Sequence, residues 1–302
     1  MKKDEYRMIG AIIVLYFPNQ QLLERLLASA SYQVDKFYFI DNTPNGCGFK
    51  VFNVNIIYHS LNENLGIAKA QNIGLNLAIE DGCDWFILLD QDSALSVGMI
   101  DALVEATITL EKDGSRVAAV GPLFCDEKTN LYSHAICHKG PIVRRITLHP
   151  EMEVPVESDY IISSGSLISK KAFDAIGLMY EDLFIDWVDI EWGLRARSIG
   201  YKIYIIPNAV MKHCIGDSSV FVAGRHRNLH AHVRNYYIVR NATFLLRKKY
   251  MGWKWRIAVL FKIPQYVLFY AWHSHPRLKN LKSLCGAVID GLRGKLGKWY
   301  PS

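Results

Sequence analysis

Trp85-Phe86-Ile87-Leu88-Leu89-Asp90-Gln91-Asp92-Ser93 sets five large apolar residues directly before two carboxylates spaced two apart. An unbroken apolar run of this length, stopped by polar turn residues, is the pattern of a strand covered on both faces. The flanking sequence repeats it. Ile9–Tyr16 (IGAIIVLY) is a second such run, broken by Phe17-Pro18-Asn19, after which Leu22, Leu23, Leu26 and Leu27 recur at helical spacing. Phe37–Ile40 predicts a strand ending in the turn signal Asp41-Asn42-Thr43-Pro44-Asn45-Gly46, and Ile56–Tyr58 a short third strand. Gly66 to Ala78 predicts a helix with Ile67, Ala70, Ile73 and Leu77 on one stripe; Met99 to Leu110 is a further helix and Val117–Val120 a fifth strand. Repeated β–α units imply an α/β domain of three layers, a Rossmann-like α/β/α sandwich around a parallel sheet. Ligands bind such sheets outside the carboxyl ends of the strands. Asp41, Asn42, Asp90 and Asp92 all follow predicted strands, so they meet at that edge.

The 302 residues are half hydrophobic and 21% charged, which excludes a disordered chain and a coiled coil. A net charge of +6 is too mild for a wide nucleic-acid footprint, and no nucleic-acid partner is expected. Six scattered cysteines (47, 83, 125, 137, 214 and 285) show neither a C-x-x-C pair nor a zinc spacing. The first apolar run is short for a signal peptide, and Ile257–Trp272 contains Lys262 and Pro264 and is too short to span a bilayer. The expected location is a reducing cytoplasm. Composition changes after about residue 216. Residues 1–216 read as the α/β domain and 217–302 as a helical, basic and aromatic extension. Trp253, Trp255, Tyr266, Tyr270 and Trp272 alternate with aliphatics beside Arg277, Lys279, Lys282, Arg293, Lys295 and Lys298. That composition fits a helix lying on an anionic membrane surface, and equally a helix pair packed on the α/β domain with its lysines in water.

Four further segments carry chemistry. Two carboxylates at i and i+2 on the turn leaving a buried strand suit one hard divalent cation gripping a diphosphate, although D-x-D also occurs as a plain acidic turn. In Asn64-Leu65-Gly66-Ile67-Ala68-Lys69-Ala70-Gln71-Asn72-Ile73-Gly74, Gly66 allows close backbone approach and the following helix offers N–H groups to an anion; Asn64 as a simple N-cap explains it as well. Phe184-Ile185-Asp186-Trp187-Val188-Asp189-Ile190-Glu191-Trp192 puts three carboxylates among large apolar side chains, as a general base in a partly apolar pocket requires. The alternative is an amphipathic helix start paired with Arg195 and Arg197. Ser163-Ser164-Gly165-Ser166 is either a tight turn or a substrate loop, and His213, after the strand-like Tyr204–Val210, either a structural histidine or a third metal ligand.

In this order, the strand-1 opening from Ile9, Asp41-Asn42, NLGIAKAQNIG, LLDQDS (88–93), SSGSLI (163–168), LFIDWVDIEWGLR (183–195), the His213–Gly216–Asp217 segment and RNYYIVRN (234–241) resemble bacterial family 2 glycosyltransferases of the GT-A fold. Within that family they are similar to the dTDP-L-rhamnose rhamnosyltransferases of O-antigen and other surface polysaccharides. The resemblance runs from Ile9 to Arg247 and implies an inverting, metal-assisted transferase. It implies nucleotide-sugar contacts from Asp41, Asn42, Asn64, Gly66, Asn72 and Asp90, with Arg234, Arg240 and Asn241 closing over the diphosphate. It implies Mg²⁺ or Mn²⁺ on Asp92 and His213, and Asp189 as the base that deprotonates the acceptor hydroxyl. Ser164, Gly165, Asp186, Trp187, Glu191 and Trp192 would lie on the acceptor side. Val188 stands where many relatives have Glu. The donor implied is dTDP-β-L-rhamnose, and the acceptor a glycan on a polyprenyl diphosphate, which sets the expected location at the inner face of the plasma membrane. Two other readings stay open: transfer of another sugar such as galactofuranose or glucose from UDP, and a non-catalytic nucleotide-sugar-binding scaffold. An NAD- or ATP-dependent enzyme is excluded, since no G-x-G-x-x-G follows the first strand and no G-K-[ST] loop is present.

Overall fold

The computed structural model describes residues 7–49, 55–126, 131–139, 142–213, 219–222, 225–228, 232–273 and 276–300. Through residue 126 the elements follow the order that the sequence predicts, with β5 added: β1 (Ile9–Leu15), α1 (Gln20–Ala30), β2 (Lys36–Asp41), β3 (Ile56–Ser60), α2 (Ile67–Glu80), β4 (Trp85–Asp90), the two-residue β5 (Ala94–Leu95), α3 (Met99–Lys112) and β6 (Val117–Asp126). A hairpin follows, β7 (His134–Lys139) and β8 (Ile142–Thr147), then β9 (Val156–Ser158), β10 (Ser166–Ser169), α4 (Lys170–Ile176), α5 (Val188–Ser198) and β11 (Lys202–His213). A second hairpin, β12 (Ser219–Val222) and β13 (Arg225–Asn228), precedes the helices α6 (His232–Leu245), α7 (Gly252–His273) and α8 (Arg277–Arg293).

The main sheet runs β3-β2-β1-β4-β10-β6-β11-β5, with β9 also on β11. Strands β1 to β4 pair in parallel, and β6 pairs in parallel with β11. The expectation of an all-parallel sheet fails at β10, which enters antiparallel between β4 and β6, Leu167 lying opposite both Ile87 and Val120. That inserted strand brings the Ser163–Gly165 turn up beside the end of β4.

Alternation along the strands divides the core. Ala11, Ile13, Leu15, Phe39 and Ile87 face α1 and α3, while Ile12, Tyr38, Phe86 and Leu88 face α2 and α4. Helices α5 to α8 belong to the second layer and share its core. Helix α6 is buried along Asn235–Leu245, with α8 and α7 laid against it. Trp255 of α7 donates from its indole Nε1 to Asp159 Oδ2 at 2.7 Å and packs edge-on against Tyr160. The extension is thus packed on the sheet's second layer, continuous with the apolar core.

Candidate active site

The carboxyl ends of β1, β2 and β4 are tied together by side chains. Gln91 accepts from the Tyr16 N–H at 2.8 Å and returns its amide to the Tyr16 carbonyl at 3.1 Å. Thr43 Oγ1 accepts from the Phe17 N–H. Asp41 is fully buried, and its carboxylate accepts from the Thr43 and Cys47 N–H groups at 2.9 and 2.6 Å and from the Tyr58 hydroxyl. Burial alone would raise its pKa, but these bonds outweigh it and hold Asp41 below the ordinary aspartate value. In this geometry Asp41 organises the 41–47 turn. Asn42 accepts from Leu65 N–H at 2.7 Å and donates to Asn64 Oδ1, which also accepts from Gly66 N–H. Asn64 is therefore a brace between two loops rather than an N-cap.

The Asp90–Ser93 turn closes through Ser93 N–H to the Asp90 carbonyl at 3.0 Å. The Asp90 N–H donates to Ser93 Oγ and Ser164 Oγ at 3.1 and 3.3 Å, and those two hydroxyls lie 2.9 Å apart. Gly165 adopts φ +73°, and a Cβ there would stand 2.7 Å from the Pro122 ring, so glycine is required to seat this turn. Asp90 and Asp92 are both partly exposed at the sheet edge. Strand β11 pairs Lys212 with Ala94, so His213 follows in register beside the end of the Asp90–Ser93 turn. Its side chain, with Gly216 and Asp217, lies outside the described residues.

Across from this turn stands the loop before α5. Phe184, Asp186 and Trp187 have φ of +68°, +61° and +67°, so the segment is irregular up to Trp187 and helical only from Val188. Asp186 and Asp189 consequently do not share a helix face. Strain of this kind persists only where surroundings hold it. Here α6 does so: Asn241 Nδ2 donates to the carbonyls of Leu183, Ile185 and Asp186 at 2.9, 2.8 and 3.0 Å. Arg240 donates to the carbonyls of Leu183 at 3.0 Å and Gly297 at 2.6 Å, while Gly297 N–H donates to the Asp182 carbonyl. Trp299 stacks on Tyr236 at 4.0 Å and locks that tail segment down. On the opposite side Ile67 N–H donates to the Phe184 carbonyl at 2.7 Å.

Asp189 sits in the first turn of α5. Burial pushes its pKa up to about 6, and the carboxylates of Asp186 and Asp90 push the same way, against the bond from Ile190 N–H. The loop and the β4 turn thus stand near enough for Asp90 and Asp189 to sense each other's charge. Asp186 in turn receives the Arg234 guanidinium, whose Nε lies 3.1 and 3.2 Å from its two oxygens.

Several residues expected at the site prove to be its supports. Arg240 and Asn241 are fully buried and committed to backbone carbonyls, which removes them from a diphosphate; Arg234 is the half-exposed one of the three. Glu191 is completely buried and bound by Arg195 Nε and Nη2 at 2.9 and 3.0 Å. Trp192 is buried and donates to the Gly177 carbonyl. Both belong to the α4–α5 packing and neither reaches the cleft. Trp187 is likewise buried. Asn72 exchanges bonds with the Met179 backbone and donates to Glu181. Gly66 is required by Phe184, since a Cβ there would meet its ring and carbonyl at 2.6 Å. The first α2 amide is spent on Phe184, so that helix end does not present its leading N–H to an anion. The bracing roles of Gln91, Ser93 and Tyr58 were missing from the sequence reading; only the place of Gln91 between two carboxylates hinted at one.

The family model for glycosyl transferase family 2 matches residues 11–177. The chain is also 35% identical over 293 residues to the dTDP-rhamnosyl transferase RfbF of Shigella flexneri, covering 96% of this chain and 97% of that one. The chain belongs to glycosyl transferase family 2. A second relative, the N-acetylglucosaminyl-diphospho-decaprenol L-rhamnosyltransferase of Mycobacterium tuberculosis (strain H37Rv), is 26% identical over 282 residues, 82% of this chain and 87% of that one. Among solved structures, GalNAc-T7 with UDP, GalNAc and Mn²⁺ aligns with TM-score 0.59 at 15% identity, over 96% of this chain and 57% of that longer one. S. aureus TarS 1–349 with UDP-GlcNAc aligns at 0.56 and 13% identity, over 94% and 81%. These two show the fold, which is GT-A. As a family 2 glycosyltransferase, the chain has its fold and enzyme class established, and both agree with the sequence reading.

No three His, Cys, Asp or Glu side chains gather into a metal-holding group among the described residues. The Asp90–Asp92 turn alone offers two hard oxygen donors, which fits a divalent cation completed by phosphate oxygens and water.

Proposed function

We propose that the chain transfers L-rhamnose from dTDP-β-L-rhamnose, with inversion, to a hydroxyl of a glycan carried on a polyprenyl diphosphate, in O-antigen or related lipopolysaccharide assembly at the inner face of the plasma membrane. The observation that carries it is Asp189, held near pKa 6 opposite the Asp90–Ser93 turn. A carboxylate of that basicity takes a hydroxyl proton more readily than an ordinary aspartate does. Rhamnose rests on the Shigella and mycobacterial relatives, and the lipid-linked acceptor on the name of the latter.

The reaction is a single displacement. Asp189 accepts the proton of the acceptor hydroxyl as that oxygen bonds to the anomeric carbon. The bond from this carbon to the β-phosphate oxygen breaks on the opposite face, its electron pair leaving with dTDP. Asp92, with Asp90 beside it, would hold Mg²⁺ or Mn²⁺, which neutralises charge on the departing diphosphate when bound. Asn42 and Asn64 fix the loops around the nucleotide, Ser164 holds the β4 turn, and Arg234 keeps Asp186 in place beside the base. A donor screen tests this: dTDP-rhamnose, UDP- and GDP-sugars, each with Mg²⁺ or Mn²⁺, read by thermal shift and donor hydrolysis. Preference for dTDP-rhamnose is expected; a clear UDP-sugar preference overturns the assignment.

A further inference from the structure

Helix α7 is apolar on two opposite sides. Trp255, Val259, Ile263 and Tyr270 are buried against the rest of the protein. Trp253, Ile257, Leu260, Phe261, Leu268 and Trp272 are exposed, at 47 to 69%. At 3.6 residues per turn these six fall within a sector of about 120° along the whole helix. Helix α8 repeats the arrangement. Leu284, Ala287 and Gly291 are buried, whereas Leu278, Leu281, Cys285, Ile289 and Leu292 are exposed and share one side. Two adjoining helices with continuous exposed apolar stripes exceed the scattered hydrophobics of an ordinary surface.

Charge identifies the partner. From Arg247 to Lys298 the chain carries twelve Lys and Arg and one acid, Asp290, whose carboxylate is occupied by the Tyr236 hydroxyl. Lys254 borders the α7 stripe with its ammonium over the Trp253 ring, and the exposed Lys282 and Arg293 border that of α8. A second copy of this chain would press one cationic face against another. An anionic lipid leaflet complements both the stripe and its border, and no described helix is long and apolar enough to cross a membrane.

We propose that α7 and α8 together form the surface by which the protein lies on an anionic lipid leaflet, their stripes at the headgroup boundary. The buried side of α7 leads to the site: Trp255 packs on Tyr160, and Tyr160 covers Gly193, one turn of α5 beyond Asp189. This rests on, and deepens, the reading of a lipid-linked acceptor.

The test is flotation of the full-length protein with vesicles of phosphatidylcholine alone or mixed with phosphatidylglycerol, for the parent and for Leu260→Asp/Phe261→Asp and Leu281→Asp/Ile289→Asp. Salt-sensitive binding to the phosphatidylglycerol vesicles is expected, weakened about tenfold or more by either pair. Donor hydrolysis without acceptor stays at the parental rate and shows the variants folded. Absence of parental binding, or parental binding by both pairs, overturns the proposal. So does light scattering that finds a parental dimer split by the same substitutions. If vesicle binding fails while a detergent-solubilised lipid-linked acceptor is turned over, the docking surface alone is wrong. If binding holds but only lipid-free acceptors react, the acceptor reading alone is wrong.

Discussion

The side-chain amide of Asn241 donates to the backbone carbonyl of Asp186 at 3.0 Å, although 55 residues separate them. The same nitrogen serves Leu183 and Ile185, so one fully buried side chain on α6 holds the turn that leads to Asp189, the proposed base. The residues of that turn with positive φ each cost about 1–3 kcal/mol and relax once released.

Asn241→Ala is therefore expected to lower kcat about 10–100-fold with a smaller change in donor KM, and to reduce stability by about 2–4 kcal/mol, from the loss of three bonds to loop carbonyls, of which Leu183 keeps Arg240 as a donor. Urea denaturation beside steady-state transfer measures both. Unchanged kcat with lowered stability would confine Asn241 to a packing role.

Asp189→Asn should abolish transfer while dTDP binding persists. The parental rate should fall on the acid side with a midpoint near pH 6, where Asp189 gains its proton. The sign for stability is opposite to that of an ordinary paired aspartate. A folded pKa raised above the unfolded value means the folded state binds the proton more tightly, so stability declines as pH rises through the interval between them. Asparagine removes that penalty. Discounted for partial exposure, a gain of about 1–2 kcal/mol at neutral pH is expected by thermal unfolding.

Asp186→Asn removes the neighbouring carboxylate whose charge raises the Asp189 pKa, and takes an anionic partner from the Arg234 guanidinium. Both changes favour ionised Asp189, so the acid limb of the pH–rate profile should move to lower pH. A limb that stays in place would show that the carboxylates do not sense each other.

Glu191 separates support from chemistry. Glu191→Gln breaks a buried, doubly bonded pair with Arg195 and should cost about 3–5 kcal/mol in chemical denaturation. Transfer per folded molecule, assayed at low temperature, should remain within about threefold of the parent.

Apolar runs such as Ile9–Leu15 and Trp85–Leu89 were legible because burial on both faces of a sheet leaves no alternation to misread. Strand β10 was not: Ser166-Leu167-Ile168-Ser169 is short, and only partners some 50 to 80 positions away make it a strand. Asp189 and the Asp90–Asp92 turn stand out in the sequence because charge beside a buried element is unusual. Arg240 and Asn241 read as ligands only through the family resemblance, yet their partners are carbonyls of a distant loop, and residue types cannot tell a phosphate from a peptide oxygen. Trp253 and Trp255 illustrate a finer limit. Both looked interfacial, but two positions on a helix turn the chain by about 200°, which sends one to solvent and the other to the core.

Arg240 reaches the Gly297 carbonyl, and Gly297 N–H reaches Asp182, so a residue far along the chain is a keystone of the turn before Asp189. A polypeptide cut short before that point retains every residue assigned to chemistry and still lacks the shape that aims them. Competence is thereby coupled to the distal tail: a truncation before Gly297 is expected to keep the motifs of a transferase and to lose the bonds that position them, which transfer assays beside the full chain would read as a fall in rate.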